Sequence, residues 1–215
     1  MNMTYDWIGS PSDMKRDGAA ILEMLDASVR DDGMLGYSTR LSREEADAFL
    51  AFWEWQLQNK AASILLARDE AGVCAMTFMR INQNRNYMHI ADLSKGYITP
   101  RMRGTALLSN LLLKICEKAK TLNIELLTLD TRENSRAFKV WTHFGFKSHG
   151  VLQDYSRSGG RSHVGHFMNQ RVEDLGKNCQ KGEKLVLQNK SDFRAKLENT
   201  LHQEIAKNIL YSLFS

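Results

Sequence analysis

The sequence predicts one mixed α/β (α+β) domain in which helices flank a central sheet. Helical and strand-like segments follow one another along the chain in the order α-α-β-β-β-α-β-α-β-β, a pattern typical of mixed folds. A chain of 215 residues with 43% apolar residues can also bury one sizeable core. We therefore assign residues 1–175 to this domain, residues 176–190 to a polar linker and residues 191–215 to a C-terminal amphipathic helix.

Two helices open the predicted domain. Apolar residues at helical spacing predict the first over residues 15–29, and an acidic turn ends it. Ser42 and Glu45 form a capping box, which predicts that a second helix begins there and continues to about Gln58.

Strands and helices alternate in the rest of the domain. Two β-rich runs, 63–68 and 73–79, are split by Asp69-Glu70-Ala71-Gly72 and predict a hairpin. Pro100 ends a third strand over 88–99. The remaining predicted elements are a helix over 107–119, a buried strand over 124–129, a helix over 135–143, and two strands over 147–156 and 163–169 around the turn Ser158-Gly159-Gly160.

Composition limits the classes of function. No stretch of about twenty apolar residues occurs, and the first residues lack the pattern of a secretory signal, so we expect a cytoplasmic protein without a membrane partner. The widely spaced Cys74, Cys116 and Cys179 suggest neither a disulfide framework nor a zinc module. His163 and His166 are three residues apart, which in a strand places their rings on opposite faces, so we predict no metal site.

The net charge of +4 is concentrated at the C-terminal end. Residues 176–215 carry seven Lys and Arg against four Asp and Glu, which leaves the domain almost neutral. Nucleic-acid-binding proteins usually have a much denser basic patch. The charge therefore does not favour a nucleic-acid partner.

The segment between the third strand and the next helix is the most informative part of the sequence. Backbone N–H groups at the start of a helix can bind an anionic phosphate. Gly104 would let the backbone approach such a ligand closely, because glycine has no Cβ. The alternative is an ordinary strand-to-helix turn with solvated arginines. The candidate binding residues of this loop are Arg101, Arg103, Gly104, Thr105 and Ala106.

Two motifs resemble those of the GNAT N-acetyltransferases. Arg101-x-x-Gly104-x-Ala106 is similar to their coenzyme A pyrophosphate loop, Gln/Arg-x-x-Gly-x-Gly/Ala. About thirty residues later, the segment 134–146 resembles their second block, Asn-x-x-Ala-x-x-Leu-Tyr-x-x-Leu-Gly-Phe. The run 126–131 and the hairpin from Tyr155 to Gly160-Arg161 look most like the tabtoxin-resistance acetyltransferases. The resemblance covers residues 18–172.

This resemblance implies a GNAT acyltransferase fold, acetyl-CoA as co-substrate without a metal, and an amine as acceptor. It implies that the strand backbone at Tyr97 and Ile98 pairs with the pantetheine arm and offers one N–H to the thioester oxygen. We expect Asn134 to cap the helix of the second block and to touch the cofactor.

The resemblance also places acids at Asp92 and Asp130. Either could take the amine proton, directly or through water, or hold the ammonium group in place. For Asp92, the alternative is a surface carboxylate on the polar side of a strand.

Two positions depart from the family pattern. Met102 stands where the family often has glycine, and Trp141 replaces the tyrosine that protonates the departing thiolate in many members. An indole cannot supply that proton. A thiol with a pKa of about 8.5 can leave without help, so activity is still expected. Tyr155 is the best substitute acid, with ordinary packing as its alternative.

The expected function is transfer of an acetyl group from acetyl-CoA to a primary amine of a small molecule, such as an amino-acid-like antimetabolite. One alternative acceptor is a protein terminus, a lysine or a charged tRNA. A second alternative concerns the function itself: the chain would be an acyl-CoA-binding protein that has lost catalysis and acts through its tail helix. The apolar stripe of that helix would be buried on its own domain or on a second subunit, which allows a homodimer.

Overall fold

A computed structural model describes residues 2–31 and 35–180 of the chain. The predicted C-terminal helix, and the predicted linker from residue 181 onward, lie outside these residues. In the described part, the elements in chain order are β1 (Thr4–Ile8), α1 (Pro11–Arg30), α2 (Arg43–Gln58), β2 (Ala62–Asp69), β3 (Gly72–Ile81), β4 (Ile90–Ile98), α3 (Leu107–Thr121), β5 (Leu126–Arg132), α4 (Arg136–His143), β6 (Lys147–Ser158) and β7 (Arg161–Arg171). Short 3₁₀ turns lie at Arg85–Tyr87 and Pro100–Met102, and a last helical segment, α5, covers residues 172–180.

Local signals placed most of these elements correctly. The capping box at Ser42 and Glu45 is present, and α2 ends at Gln58 as predicted. Gly159 and Gly160 both adopt positive φ, at 55° and 72°, in the turn between β6 and β7. This is the backbone conformation that glycine adopts without steric penalty.

The sequence did not predict β1. Its five residues pair antiparallel with β2, from Thr4 opposite Arg68 to Ile8 opposite Ile64. A strand this short shows little periodicity of its own, and its pairing to a partner some sixty residues away holds it in place. Helix α1 also begins earlier than predicted, because Ser10 and Asp13 form a second capping box in front of it.

The strands form one sheet in the order β1-β2-β3-β4-β5-β7-β6. Among the strands of the described residues, only the β4–β5 pair is parallel, so the sheet is mixed, as predicted. Helices α1 and α2 cover one face through a core that includes Phe49, Trp53 and Phe78. Helices α3 and α5 contribute to the core on the other face.

Helix α5 includes the first five residues of the predicted linker. Cys179 is fully buried, and the Asn178 amide donates a 3.0 Å hydrogen bond to the Phe144 carbonyl. A Cβ on Gly145 (φ +94°) would lie 2.5 Å from Nδ2 of Asn178. The glycine of the second block is therefore required at the point where α5 packs against the end of α4.

Candidate active site

Strands β4 and β5 separate shortly after they begin to pair. Their register covers three residue pairs, the last of which joins Asp92 to Thr128. Strand β4 nevertheless continues to Ile98, still paired with β3, and β5 continues to Arg132, still paired with β7. The sheet thus contains a wedge-shaped opening, and β4 presents an unpaired backbone edge to it.

The loop that follows β4 leads directly into α3. Gly104 has φ +73°, and a Cβ added there would meet nothing within 4 Å. None of the N–H groups of Gly104, Thr105 and Ala106 makes a hydrogen bond of ordinary geometry within the described residues. Ala106 occupies the N-cap position of α3 and offers no side-chain cap. This helix start therefore has N–H donors without partners among the described residues, next to open space at Gly104, which suits an anion.

Two neighbouring residues explain how the loop is fixed. The Met102 side chain is buried in the core, so the position that is often glycine in the family serves here as an apolar anchor. Thr99, just before Pro100, has a buried Oγ1 with no hydrogen-bond partner among the described residues. A buried hydroxyl without a partner is unfavourable.

Both loop arginines are already paired with carboxylates. Arg101 binds Asp69, whose side chain is 1% exposed. Arg103 donates to Asp31 at the end of α1 and, over 3.1 Å, to the Ile98 carbonyl. The hydrogen bond from Arg103 lowers the pKa of the Asp31 carboxyl. The positive charge predicted beside the phosphate is thus balanced internally, and Asp31 competes for Arg103.

Asp130 and Tyr155 meet at the opening. The Tyr155 hydroxyl donates to a carboxylate oxygen of Asp130. Burial, together with this hydrogen bond, raises the pKa of Tyr155, so the phenol stays protonated at neutral pH. A Cβ on Gly165 would overlap the tyrosine ring and lie 2.6 Å from Cβ of Tyr155. Glycine at this position lets the ring lie across β7 and reach Asp130.

The environment of Asp130 differs from the prediction. It was expected at the end of a buried strand, but β5 runs two residues further and Asp130 is exposed. Leu127 and Leu129 point into the core under α3. Since side chains alternate along a strand, Asp130 projects to the opposite face, on the side of α1 and α2.

Asp92 lies on that same face but has other partners. It forms a 2.7 Å ion pair with Arg80 and accepts a hydrogen bond from the Thr128 hydroxyl. Asp92 is therefore already paired with a cation, whereas the partner of Asp130 is a neutral phenol. The structure thus brings Asp130 and Tyr155 together, and pairs Asp92 with the cation of a neighbouring strand.

The second block occupies the other side of the opening. Its cap is Ser135, which accepts a 3.0 Å hydrogen bond from the N–H of Phe138. The predicted cap, Asn134, is exposed and has φ +59°. The side chain of the next residue, Ser135, caps the helix in its place. A ring carbon of Trp141 lies 3.9 Å from where a Cβ of Gly96 would be, so the indole contacts β4 across the opening.

The last predicted site residues lie on β4 itself. The Tyr97 side chain is buried in the core under α1 and α2, and its ring lies 5.6 Å from the Arg103 guanidinium. Ile98 is half-buried and pairs with Ala75 of β3. Their backbone, rather than their side chains, borders the opening.

Lys95 was not predicted as a site residue. It lies in a β-bulge of β4, opposite β3, with φ +52°. Its ammonium donates to the Leu35 carbonyl and lies 5.2 Å from the Tyr37 ring centre. Burial lowers the pKa of Lys95, whereas the negative charge of the Asp130 carboxylate raises it and partly offsets the effect of burial. The dipeptide Lys95-Gly96 inside a strand was the available signal, since glycine there often marks a bulge.

The described residues have the fold of the GNAT acetyltransferases, as their similarity to solved structures shows. An acetyltransferase of the GNAT family from Streptococcus pneumoniae has a TM-score of 0.60 and 21% identity, over 79% of this chain and 99% of its own. A protein from Salmonella typhimurium, named as an acetyltransferase and solved with its cofactor acetyl-CoA, has a TM-score of 0.64 and 18% identity, over 80% of this chain and 95% of its own. A structure named as a phosphinothricin N-acetyltransferase has a TM-score of 0.65 and 17% identity, over 80% of this chain and 99% of its own.

Comparisons by sequence add no closer relative. No model of a known protein family matches the chain, and no curated protein matches it. In the described ranges, no helix is long and apolar enough to cross a membrane. Residues 2–31 and 35–180 contain no group of three or more His, Cys, Asp or Glu that could hold a metal ion.

Proposed function

We propose that this protein is an N-acetyltransferase that moves an acetyl group from acetyl-CoA to a primary amine of a small, amino-acid-like molecule. The observation that carries the proposal is the opening between β4 and β5, which leads to the start of α3, where the N–H groups of Gly104, Thr105 and Ala106 have no partner among the described residues. An acyl donor would enter along the unpaired edge of β4, and its acceptor would meet it at Asp130. Similar solved structures support this proposal through their shared fold and, in one case, bound acetyl-CoA.

The chain has suitable groups for the diphosphate and the pantetheine arm. The free N–H groups at Gly104, Thr105 and Ala106 would bind the diphosphate, with Arg103 available once Asp31 releases it. The edge of β4 near Tyr97 and Ile98 has no partner strand, and it would pair with the amides of the arm as a neighbouring strand does once the Ile98 carbonyl is released by Arg103. Acetyl-CoA would supply the thioester carbonyl that the amine attacks.

Asp130 is the proposed base. At pH 7, deprotonating a lysine-like amine of pKa ~10.4 requires ~4.6 kcal/mol, whereas the α-amino group of a peptide terminus near 7.7 requires only ~1 kcal/mol. The α-amine of a free amino acid lies between these two values, so it makes a smaller demand on Asp130 than a lysine-like amine does. Tyr155 directs its proton at Asp130, so we assign it the task of orienting this carboxylate. Asp92, held by Arg80, keeps a secondary role in placing the acceptor's ammonium group.

An acyl-CoA-binding protein without catalysis is the second candidate, because Trp141 replaces the family's tyrosine and fills its place against β4. Acetyl-CoA binding would be common to both functions. Turnover separates them, since a binding protein acetylates no amine.

The test combines calorimetry with acetyl-CoA and a mass-spectrometric search for acetylated products in a panel of amines. Replacing Asp130 by asparagine should lower turnover by roughly 10²–10⁴-fold and leave the affinity for acetyl-CoA unchanged. Asp154→Asn is the matched control, because Asp154 lies on β6 and pairs with the exposed Arg157. Binding without turnover of any amine would favour the second candidate, and full activity of Asp130→Asn would exclude Asp130 as the base.

A further inference from the structure

A cavity that is open to solvent lies beside Lys95, on the face of the sheet that carries Asp130. It has a volume of about 420 Å³, within the range of roughly 300–1,000 Å³ typical of small-molecule sites. Helix α2 forms one wall, and the segment after α1 forms another. Its lining includes Tyr37, Glu45, Phe49, Phe52, Trp53 and Lys95.

Aromatic rings form the floor and rim of this cavity. Phe49 and Trp53 are buried, with ring centres 6.2 Å apart, and they make a fixed floor. Phe52 is 47% exposed and packs edge-on against Trp53 at 5.3 Å, so it forms an accessible rim. Rings held in this way offer a preformed surface to an apolar or aromatic group.

The charged groups of the cavity are not equivalent. The Glu45 carboxylate accepts a 2.8 Å hydrogen bond from the Ser42 N–H at the start of α2, so it already serves as a cap. Lys95 has no carboxylate within 4.0 Å in the described part of the chain. Its partly buried ammonium, on a backbone held at positive φ, is therefore the cavity's available charge. An anionic ligand group would compensate it.

Lys95 also links the cavity to the proposed base. It lies on β4, while Asp130 lies on β5 across the opening, and the two side chains share one face of the sheet. An acceptor whose anionic group binds Lys95 could therefore present an adjacent amine to Asp130. A cationic acceptor such as a diamine would be repelled at this position.

We propose that this cavity binds the acceptor, and that the acceptor is an amine with both an anionic group and a large apolar or aromatic side group. Apolar α-amino acids belong to this class. Lys95 holds the anionic group, and the rings of Phe52 and Trp53 hold the side group. The inference rests on the proposed acetyl transfer for its catalytic meaning, whereas the binding it describes can be measured separately.

Phenylalanine is a suitable probe because it has both groups. Phenylalaninamide lacks the carboxylate, and alanine lacks the ring. We expect calorimetry in the presence of coenzyme A to give the tightest binding for phenylalanine. We also expect acetylation to be roughly ten-fold more efficient for phenylalanine than for either other probe. Lys95→Met should remove the preference for the acid over the amide and leave the affinity for acetyl-CoA unchanged.

Phe52→Ser should remove the preference for phenylalanine over alanine. Trp55→Ser is the matched control, because Trp55 is an exposed aromatic of the same helix that does not line the cavity. Equal binding of the acid and the amide, or a Lys95→Met protein that keeps the preference, would overturn the subsite. Acetylation without these preferences would refute the subsite alone, whereas absence of acetyl-CoA binding would refute the proposed function.

Discussion

Asp31 provides a direct probe of the proposed diphosphate loop. Its carboxylate accepts a hydrogen bond from Arg103 and lies 3.5 Å from the Tyr97 hydroxyl. A bound diphosphate would place negative charge near Asp31 and compete with it for Arg103. Replacing Asp31 by asparagine keeps the shape of the side chain and removes its charge. We therefore expect Asp31→Asn to bind coenzyme A more tightly than the parent protein.

The size of the effect follows from the exposure of the pair. The side chains of Arg103 and Asp31 are 27% and 26% exposed, so solvent screens their attraction and we assign it about 0.2–1 kcal/mol. Removing the repulsion between Asp31 and a phosphate adds at most about 1 kcal/mol. A total of up to about 2 kcal/mol corresponds to a Kd that is lower by up to roughly 30-fold.

Isothermal titration with coenzyme A at one fixed salt concentration measures this change. Asp26→Asn is the matched control, because Asp26 also lies on α1 but pairs with the exposed Arg40. The control should bind like the parent. An unchanged or weaker affinity of Asp31→Asn would refute the idea that Asp31 and the diphosphate compete for Arg103.

Three further predictions concern the support of the site. Gly165→Ala should displace Tyr155, destabilise the protein by about 1–3 kcal/mol and reduce turnover, as shown by thermal unfolding and product assays. Gly150→Ala is the control and should be tolerated, because its Cβ would lie 3.7 Å from the nearest atom of Phe167. Equal stability of Gly165→Ala and Gly150→Ala would contradict the overlap between a Cβ at Gly165 and the Tyr155 ring. Gly145→Ala should lower the unfolding temperature by separating α4 from α5, and a parental unfolding temperature would argue against that contact. Because the pKa of Tyr155 is raised above 10, its contribution to stability should be complete below pH 10 and decline as the pH rises further. Denaturant unfolding should therefore show a smaller alkaline loss for Tyr155→Phe than for the parent, and parallel curves would contradict this.

Local sequence signals predicted the frame of the site well. The capping box at Ser42, the proline that ends β4 and the glycines between β6 and β7 act over a few residues, and each appears as expected. The order of elements and the motif around Gly104 together predicted the GNAT fold, which the solved structures confirm.

Local sequence patterns did not predict the contacts between residues that lie far apart in the sequence. Arg103 is 72 residues from its partner Asp31, and Arg101 is 32 residues from Asp69. The charges therefore indicated a basic loop, whereas the fold pairs each arginine with an acid. The exposure of Asp130 likewise depends on β7, which extends β5 beyond its apolar run.

The role of Lys95 required the three-dimensional structure for a different reason. A lysine inside a strand is normally interpreted as a solvated side chain. Only the bulge and the segment that follows α1 turn its ammonium toward a cavity with aromatic walls. The cap of α4 shows the same limit at short range, because Asn134 was expected to cap the helix and the adjacent Ser135 does so instead.

Titration of the protein with acetyl-CoA, together with a Gly104→Glu variant, tests the central claim most directly. We predict one bound acetyl-CoA per chain in the parent and a loss of at least roughly a hundred-fold in affinity for Gly104→Glu, because a carboxylate would lie where the diphosphate binds. Gly159→Glu is the control, since Gly159 also has positive φ and open space around it. No measurable heat with the parent protein, or parental affinity in Gly104→Glu, would contradict the account.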